Sequence, residues 1–150
     1  RNIIDQAKAK NVNLYIPSDT IIADHFSNEA QFKEVAIDKI PEGWMGLDVG
    51  HQSILECAEI IENSKVILWN GPMGVFEMSN FENGTKEVAY SIVNATKKGA
   101  FSLIGGGDSV AAINKFNLAD KVSFVSTGGG AMLEFLEGKE LPGIKAIKEN

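Results

Sequence analysis

Basic side chains are scarce in this 150-residue sequence: Arg1 is its single arginine, and 14 Lys and Arg stand against 20 Asp and Glu, for a net charge of −6. A nucleic-acid surface needs clustered cations to neutralise a phosphate backbone. The lysines here are scattered, so nucleic acid is excluded as a partner. Cysteine is nearly absent as well. Cys57 stands alone and forms no internal disulfide, which fits a reducing compartment, and the cytoplasm is the expected location. No apolar run approaches the roughly 18–20 residues of a membrane span. The opening Arg1-Asn2-Ile3-Ile4-Asp5 also lacks the apolar stretch of a secretion signal. A soluble protein with no membrane partner is expected. An initiating methionine is missing too, and the sequence opens inside a helical pattern, which reads as a portion of a longer chain. There is no internal repeat, low-complexity tract or linker, so the chain reads as one domain with one core.

What is present is alternation. Short β-branched or aromatic runs, Leu14-Tyr15-Ile16, Ile21-Ile22-Ala23, Val66-Ile67-Leu68-Trp69, Phe101-Ser102-Leu103-Ile104 and Val122-Ser123-Phe124-Val125, read as buried strands. Between them lie apolar residues at helical spacing: Ile54, Ala58 and Ile61, then Val88, Ile92 and Ala95. Strands alternating with helices predict βαβ units, hence an α/β fold with a parallel sheet covered by helices. Residues 32–40 are less regular and read as a small excursion with a short strand.

In a parallel sheet all strands finish at one edge, and the turns that leave them line the crevice where ligands bind. Three of the predicted strand ends run straight into glycine: Asn70-Gly71-Pro72-Met73-Gly74, Gly105-Gly106-Gly107-Asp108-Ser109 and Ser126-Thr127-Gly128-Gly129-Gly130. Glycine admits positive φ and close approach of a ligand to the backbone, and a helix that starts just afterwards offers unpaired N–H groups and the positive end of its dipole. One such turn is commonplace. Three on one predicted edge point to an anion site.

Familiar phosphate motifs do not account for these turns. No Gly-x-x-x-x-Gly-Lys-(Ser/Thr) occurs, so a P-loop is absent. Neither the run from Gly105 nor that from Gly128 completes Gly-x-Gly-x-x-(Gly/Ala), which weighs against a dinucleotide-binding oxidoreductase; a non-catalytic interaction module is a further alternative. Asp108 stands where the second turn enters the helical run Val110-Ala111-Ala112-Ile113. It either caps that helix or holds a magnesium ion beside a phosphate. A carboxylate facing phosphates without a cation would be repulsive, so a phosphate site here implies the metal. Glu77, which follows Gly74-Val75-Phe76, either accepts hydrogen bonds from ribose hydroxyls or is a solvated surface acid.

Trp44-Met45-Gly46-Leu47-Asp48, Leu68-Trp69-Asn70-Gly71-Pro72-Met73-Gly74-Val75-Phe76-Glu77, Ile104-Gly105-Gly106-Gly107-Asp108-Ser109 and Val125-Ser126-Thr127-Gly128-Gly129-Gly130-Ala131, in this order, resemble consecutive signature stretches of the phosphoglycerate kinase family. Pro17-Ser18-Asp19, Leu136-Glu137-Gly138-Lys139 and Leu141-Pro142-Gly143 extend the resemblance over essentially the whole sequence. It implies a three-layer αβα, Rossmann-like carboxyl-terminal domain, incomplete at its start, from a monomeric cytoplasmic enzyme of two domains. The implied reaction is reversible phosphoryl transfer from 1,3-bisphosphoglycerate to magnesium-bound ADP, giving ATP and 3-phosphoglycerate. By the same resemblance Leu47, Gly71, Pro72 and Val75 border the adenosine, Glu77 takes the ribose and Asn70 lies near the phosphates. Gly106, Gly107, Asp108 and Ser109 form the phosphate turn, with Asp108 the Mg2+ ligand. Gly128, Gly129 and Gly130 present a helix N-terminus to the transferring group.

The sequence departs from the family's pattern at Phe124, which stands for a frequent histidine, at His51, which stands for a frequent proline, and at Ser109, where serine keeps the hydroxyl of the more frequent threonine. No role follows for an imidazole beside the last turn, and His25, His51 and Cys57 show no catalytic or metal-binding pattern. Cations on the transferring oxygens are a general requirement of this chemistry, and the three turns contain none. In the family an arginine and the acidic-substrate site belong to an amino-terminal domain, and further lysines to a segment ahead of Arg1. The chain by itself is therefore expected to bind nucleotide weakly at best and to be inactive.

Overall fold

The apolar alternation sorts into two three-stranded sheets in a computed structural model that describes residues 2–126 and 128–148. Arg1, the lone arginine, and Thr127 of the last glycine turn lie outside the described residues. A helix α1 (Asn2–Ala9) precedes strand β1 (Asp19–Ala23), followed by β2 (Phe32–Ala36) and β3 (Met45–Val49). Next come α2 (His51–Glu62), β4 (Val66–Asn70), α3 (Asn83–Lys97), β5 (Phe101–Gly105) and α4 (Gly107–Lys115). Strand β6 (Phe124–Ser126) and helices α5 (Gly129–Leu136) and α6 (Pro142–Lys148) complete the chain.

Strands β4, β5 and β6 form a parallel sheet in that order, with Asn70 beside Gly105 and Gly105 beside Ser126. The α/β reading therefore holds, but the sheet is not parallel throughout. Strands β2, β1 and β3 form a separate antiparallel sheet, because the connections from β1 to β2 and from β2 to β3 contain no α-helix to carry the chain back to the starting edge. Strand β3 was not predicted from the sequence: Gly46 and Asp48 interrupt its apolar run. The segment 14–16, read as a strand, is not one. Leu14 and Ile16 are exposed, no described strand pairs with the segment, and Tyr15 anchors it, its hydroxyl donating to Glu56 Oε2 at 2.8 Å.

The last strand starts later than its apolar run suggests. The Ser102 and Ser123 hydroxyls accept from each other's amides, at 3.0 and 3.1 Å, so a side-chain exchange stands where ladder bonds would begin. The excursion at residues 32–40 contains the short strand read from the sequence, β2, and in addition a single 3-10 turn.

The main core lies on one face of the parallel sheet. Ile67, Trp69 and Ile104 meet Val88, Ile92 and Ala95 of α3 and Ala112 and Ile113 of α4. The helical spacing read from the sequence thus marks the buried stripe of α3. Alternation along the strands puts Val66, Leu68, Phe101 and Phe124 on the opposite face, and all four are exposed. Helix α5 reaches only the rim of that face, where a Cβ on Gly105 would collide with the Met132 side chain. A smaller core, Ala23, Ala30, Leu47 and Phe81, joins the antiparallel sheet to the loop after β4. Phe32 meets Phe81 there edge to face, with ring centroids 5.5 Å apart.

Candidate functional site

The register of the parallel sheet brings Asn70, Gly105 and Ser126 level, so the three glycine turns leave one rim together. They are in contact. Gly71, at φ 104°, donates its N–H to Ser109 Oγ at 2.6 Å and accepts from Trp69 Nε1 at 2.8 Å, which fixes the first turn to the second. Gly106 has φ 87°, and a Cβ there would lie 2.5 Å from Asn70 Oδ1. A Cβ on Gly129 would run into the Gly106 backbone, so the third turn nests against the second because residue 129 is glycine. By contrast, a Cβ on Gly107 or Gly130 would meet nothing within 4 Å. Those two glycines, with Gly128 and Asp108, face open space.

Electrostatics separates these turns from the starts of α2 and α3. The amides of His51, Gln52 and Ser53 at the start of α2 are taken by Glu34 Oε1 at 2.5 Å, Asp19 Oδ2 at 2.8 Å and Asp19 Oδ1 at 2.9 Å. At the start of α3, Asp48 Oδ2 accepts from Gly84 at 2.8 Å. Each of these N-termini holds a carboxylate of the chain itself. Helices α4 and α5 do not: their N-caps, Gly106 and Gly128, have no side chain to offer, and no side chain among the described residues accepts from the amides of residues 107–109 or 129–131. Two unfilled N-termini on one rim form a place for an external anion.

Asp108 sits in the first turn of α4, exposed, and is not its N-cap. The capping alternative is thereby removed. Its carboxylate makes no hydrogen bond or ion pair to the described residues and is free to meet a cation. Ser109 is fully buried, and its hydroxyl oxygen is engaged by Gly71, so it ties two turns together. Glu77 is exposed and also lacks a side-chain partner among the described residues, while its neighbour Phe76 is buried.

Leu47, Pro72 and Val75 gather beside the rim. Val75 donates its N–H to the Leu47 carbonyl at 2.8 Å, and Leu47, Pro72 and Gly74 line a cavity of about 330 Å³ with Thr20, Ile37 and Val49. Two residues that sequence reasoning gave no role hold this wall. The buried Thr85 hydroxyl accepts from the amides of Met73 and Gly74, both at 3.1 Å. Asp48, 5% exposed, accepts from Val49 through Oδ1 at 2.9 Å and from Gly84 through Oδ2. Burial pushes its carboxyl up to about 6, against the lowering effect of the Gly84, Val49 and Asn83 amides. An acid inside an otherwise apolar run, as in Leu47-Asp48-Val49, was the available signal.

No group of three or more His, Cys, Asp or Glu among the described residues could hold a metal ion. His25 pairs with Asp24 at the surface, at 2.8 Å, and Cys57 is a buried free thiol that burial raises further. Neither joins the rim. Among the described residues no helix is long and apolar enough to cross a membrane.

The sequence profile of phosphoglycerate kinase matches residues 1–139. The chain is 57% identical over 148 residues to phosphoglycerate kinase of Porphyromonas gingivalis, covering 99% of this chain and 35% of that protein. It is 55% identical over 150 residues to the enzyme of Dictyostelium discoideum, covering 99% and 36%. Among solved structures, phosphoglycerate kinase from Coxiella burnetii superposes with a TM-score of 0.90 at 44% identity, covering 96% of this chain and 36% of that one. The structure from Pyrococcus horikoshii gives 0.80 at 32% identity, covering 98% and 35%. The chain thus spans about a third of the length of these relatives. With profile, sequence and fold in agreement along nearly its whole length, the chain belongs to the phosphoglycerate kinase family.

Proposed function

We propose that this chain supplies the nucleotide half of a kinase that transfers a phosphoryl group between 1,3-bisphosphoglycerate and magnesium-bound ADP, yielding ATP and 3-phosphoglycerate. The observation that carries this reading is the pair of unfilled helix N-termini, α4 and α5, on the rim where Asn70, Gly105 and Ser126 lie level. Phosphates of the nucleotide sit on the amides of Gly106, Gly107 and Ser109, with Asn70 alongside. Gly128, Gly129 and Gly130 present the α5 N-terminus to the transferring group, where negative charge is greatest. Leu47, Gly71, Pro72 and Val75 border the adenosine and Glu77 accepts from the ribose.

The exposed Asp108 carboxylate at this rim suits Mg2+ delivered on the nucleotide. Such an ion keeps several waters and needs only one or two protein carboxylates beside phosphate oxygens, and Asp108 is unengaged in the place required. When bound, the ion offsets charge on the phosphate oxygens. What the rim lacks is a cationic side chain: the turns contain no lysine or arginine, and Lys115 is occupied by Glu82 and the Phe76 carbonyl, each at 2.6 Å. The remaining charges, and the acidic substrate, belong to an amino-terminal domain outside this sequence. The whole enzyme acts in the cytoplasm as a monomer.

Calorimetric titration of the chain with Mg-ADP tests the proposal, with NAD as the comparison. Binding of Mg-ADP in preference to NAD is the expected result; preference for NAD, or binding of neither, overturns it. In a coupled assay for ATP formation the isolated chain is expected to be inactive.

A further inference from the structure

Between β4 and α3 the chain runs through residues 71–82 with no helix or strand, yet this loop carries Pro72, Val75 and Glu77, the proposed nucleoside wall. An irregular loop of this length needs a fastening to present a fixed surface. The structure provides it in the buried Asp48 side chain. Gly74, near the start of the loop, and Gly84, just past its end, both abut the Asp48 carboxylate, so closely that a Cβ on either would collide with Oδ1. The Gly84 amide donates to Oδ2, and the Asp48 carbonyl accepts from Thr20 Oγ1 at 2.7 Å. The residue before it, Leu47, accepts from the Val75 amide. The early part of the loop, at Gly74 and Val75, and the residue just past its end are therefore held by one dipeptide of β3.

We propose that Asp48 is a positioning residue for the nucleoside: its carboxylate closes the neck of the 74–84 loop and thereby sets the distance between the Leu47 wall and the Pro72–Val75 wall. This rests on the nucleotide reading above and deepens it. A carboxylate placed out of water is costly unless its acceptor capacity is used, and here it is used on backbone amides from two separate elements. The phosphate turns after β5 and β6 are built without Asp48, through Gly106, Ser109 and Gly129. The proposal therefore separates the two parts of the ligand.

The test uses the full chain and two probes, ADP and inorganic pyrophosphate, each with magnesium. Asp48→Asn turns an amide N–H2 toward a backbone donor, and Gly84→Ala pushes on the same carboxylate from the other side; circular dichroism monitors folding. Both variants are expected to weaken ADP binding about tenfold while pyrophosphate binding changes less than about twofold. Equal losses for the two probes, or a lowered melting temperature with an unchanged ADP-to-pyrophosphate ratio, reduce Asp48 to a structural residue and overturn the proposal. ADP binding that is unaltered in both variants overturns it alone. A wild-type chain that takes neither probe overturns the nucleotide reading with it.

Discussion

The Ser109 hydroxyl accepts the Gly71 amide at 2.6 Å, so the turn that leaves β4 is bolted to the first turn of α4. Ser109 is fully buried and Gly71 half-buried, and the bond joins the two halves of the rim. Ser109→Ala leaves the Gly71 N–H without an acceptor. It is expected to cost about 1–3 kcal/mol in a urea melt and to weaken nucleotide binding, since Asn70 and Gly106 lose their common anchor. An unchanged melting midpoint would mean that the bond is dispensable.

Asp108 makes the opposite prediction. It is exposed and caps nothing, so Asp108→Ala is expected to alter stability by no more than about 0.5 kcal/mol. In calorimetry it weakens Mg-ADP binding more than metal-free ADP binding. Equal losses with and without magnesium would show that the carboxylate does not meet the ion.

Neighbouring glycines of the last turn should respond differently. A Cβ on Gly129 strikes the Gly106 backbone, whereas one on Gly130 meets nothing. Gly129→Ala forces the two turns apart and is expected to destabilise by about 1–3 kcal/mol, as overpacking does. Gly130→Ala leaves the melting temperature within a degree or two while still weakening binding, by keeping a ligand off the backbone. Equal thermal losses in the two variants would contradict the packing described.

Stability should carry the signature of Asp48. Burial raises its carboxyl from 3.8 to about 6, so the folded state favours the protonated form. Its stabilising contribution is complete below the unfolded value and is lost as pH rises through 6. The loss is on the order of 2–3 kcal/mol. Asp19 works in the other direction: burial pushes it up, but the Ser53 hydroxyl and the Ser53 and Gln52 amides prevail and lower it, so its contribution disappears only on stronger acidification. Urea midpoints measured from pH 7 down to pH 4.5 are thus expected to rise, and the rise to be absent in Asp48→Asn. A fall over that range in the unaltered chain would rule out the raised carboxyl.

The rim was legible in the sequence because its signals are local: an apolar run of strand length and then glycine, three times over. Register did the rest, and no residue beyond the turns had to be guessed to bring Asn70, Gly106 and Gly129 together. The antiparallel sheet was not legible, since β3 hides its strand character behind Gly46 and Asp48, and these are needed for reasons of contact: the carboxylate reaches residue 84, and a Cβ on Gly46 would press on Thr20 Oγ1 at 3.0 Å. Segment 14–16 misled for the converse reason. Its composition is that of a strand, but pairing is a property of neighbours, and Tyr15 uses a side chain where a strand would use its backbone. On its position alone Asp108 was open between cap and ligand, and the structure gives the N-cap to Gly106.

Strand β6 pairs with its neighbour at only three positions, 103 to 124, 104 to 125 and 105 to 126, and serine side chains replace the ladder before them. The turn at Gly128 and helix α5 behind it therefore hang from the shortest seam in the parallel sheet, next to a face that α5 barely touches. Local opening starts where the fewest backbone bonds must break, so amide protons of β6 and α5 exchange with solvent before those of β4, β5 and α3.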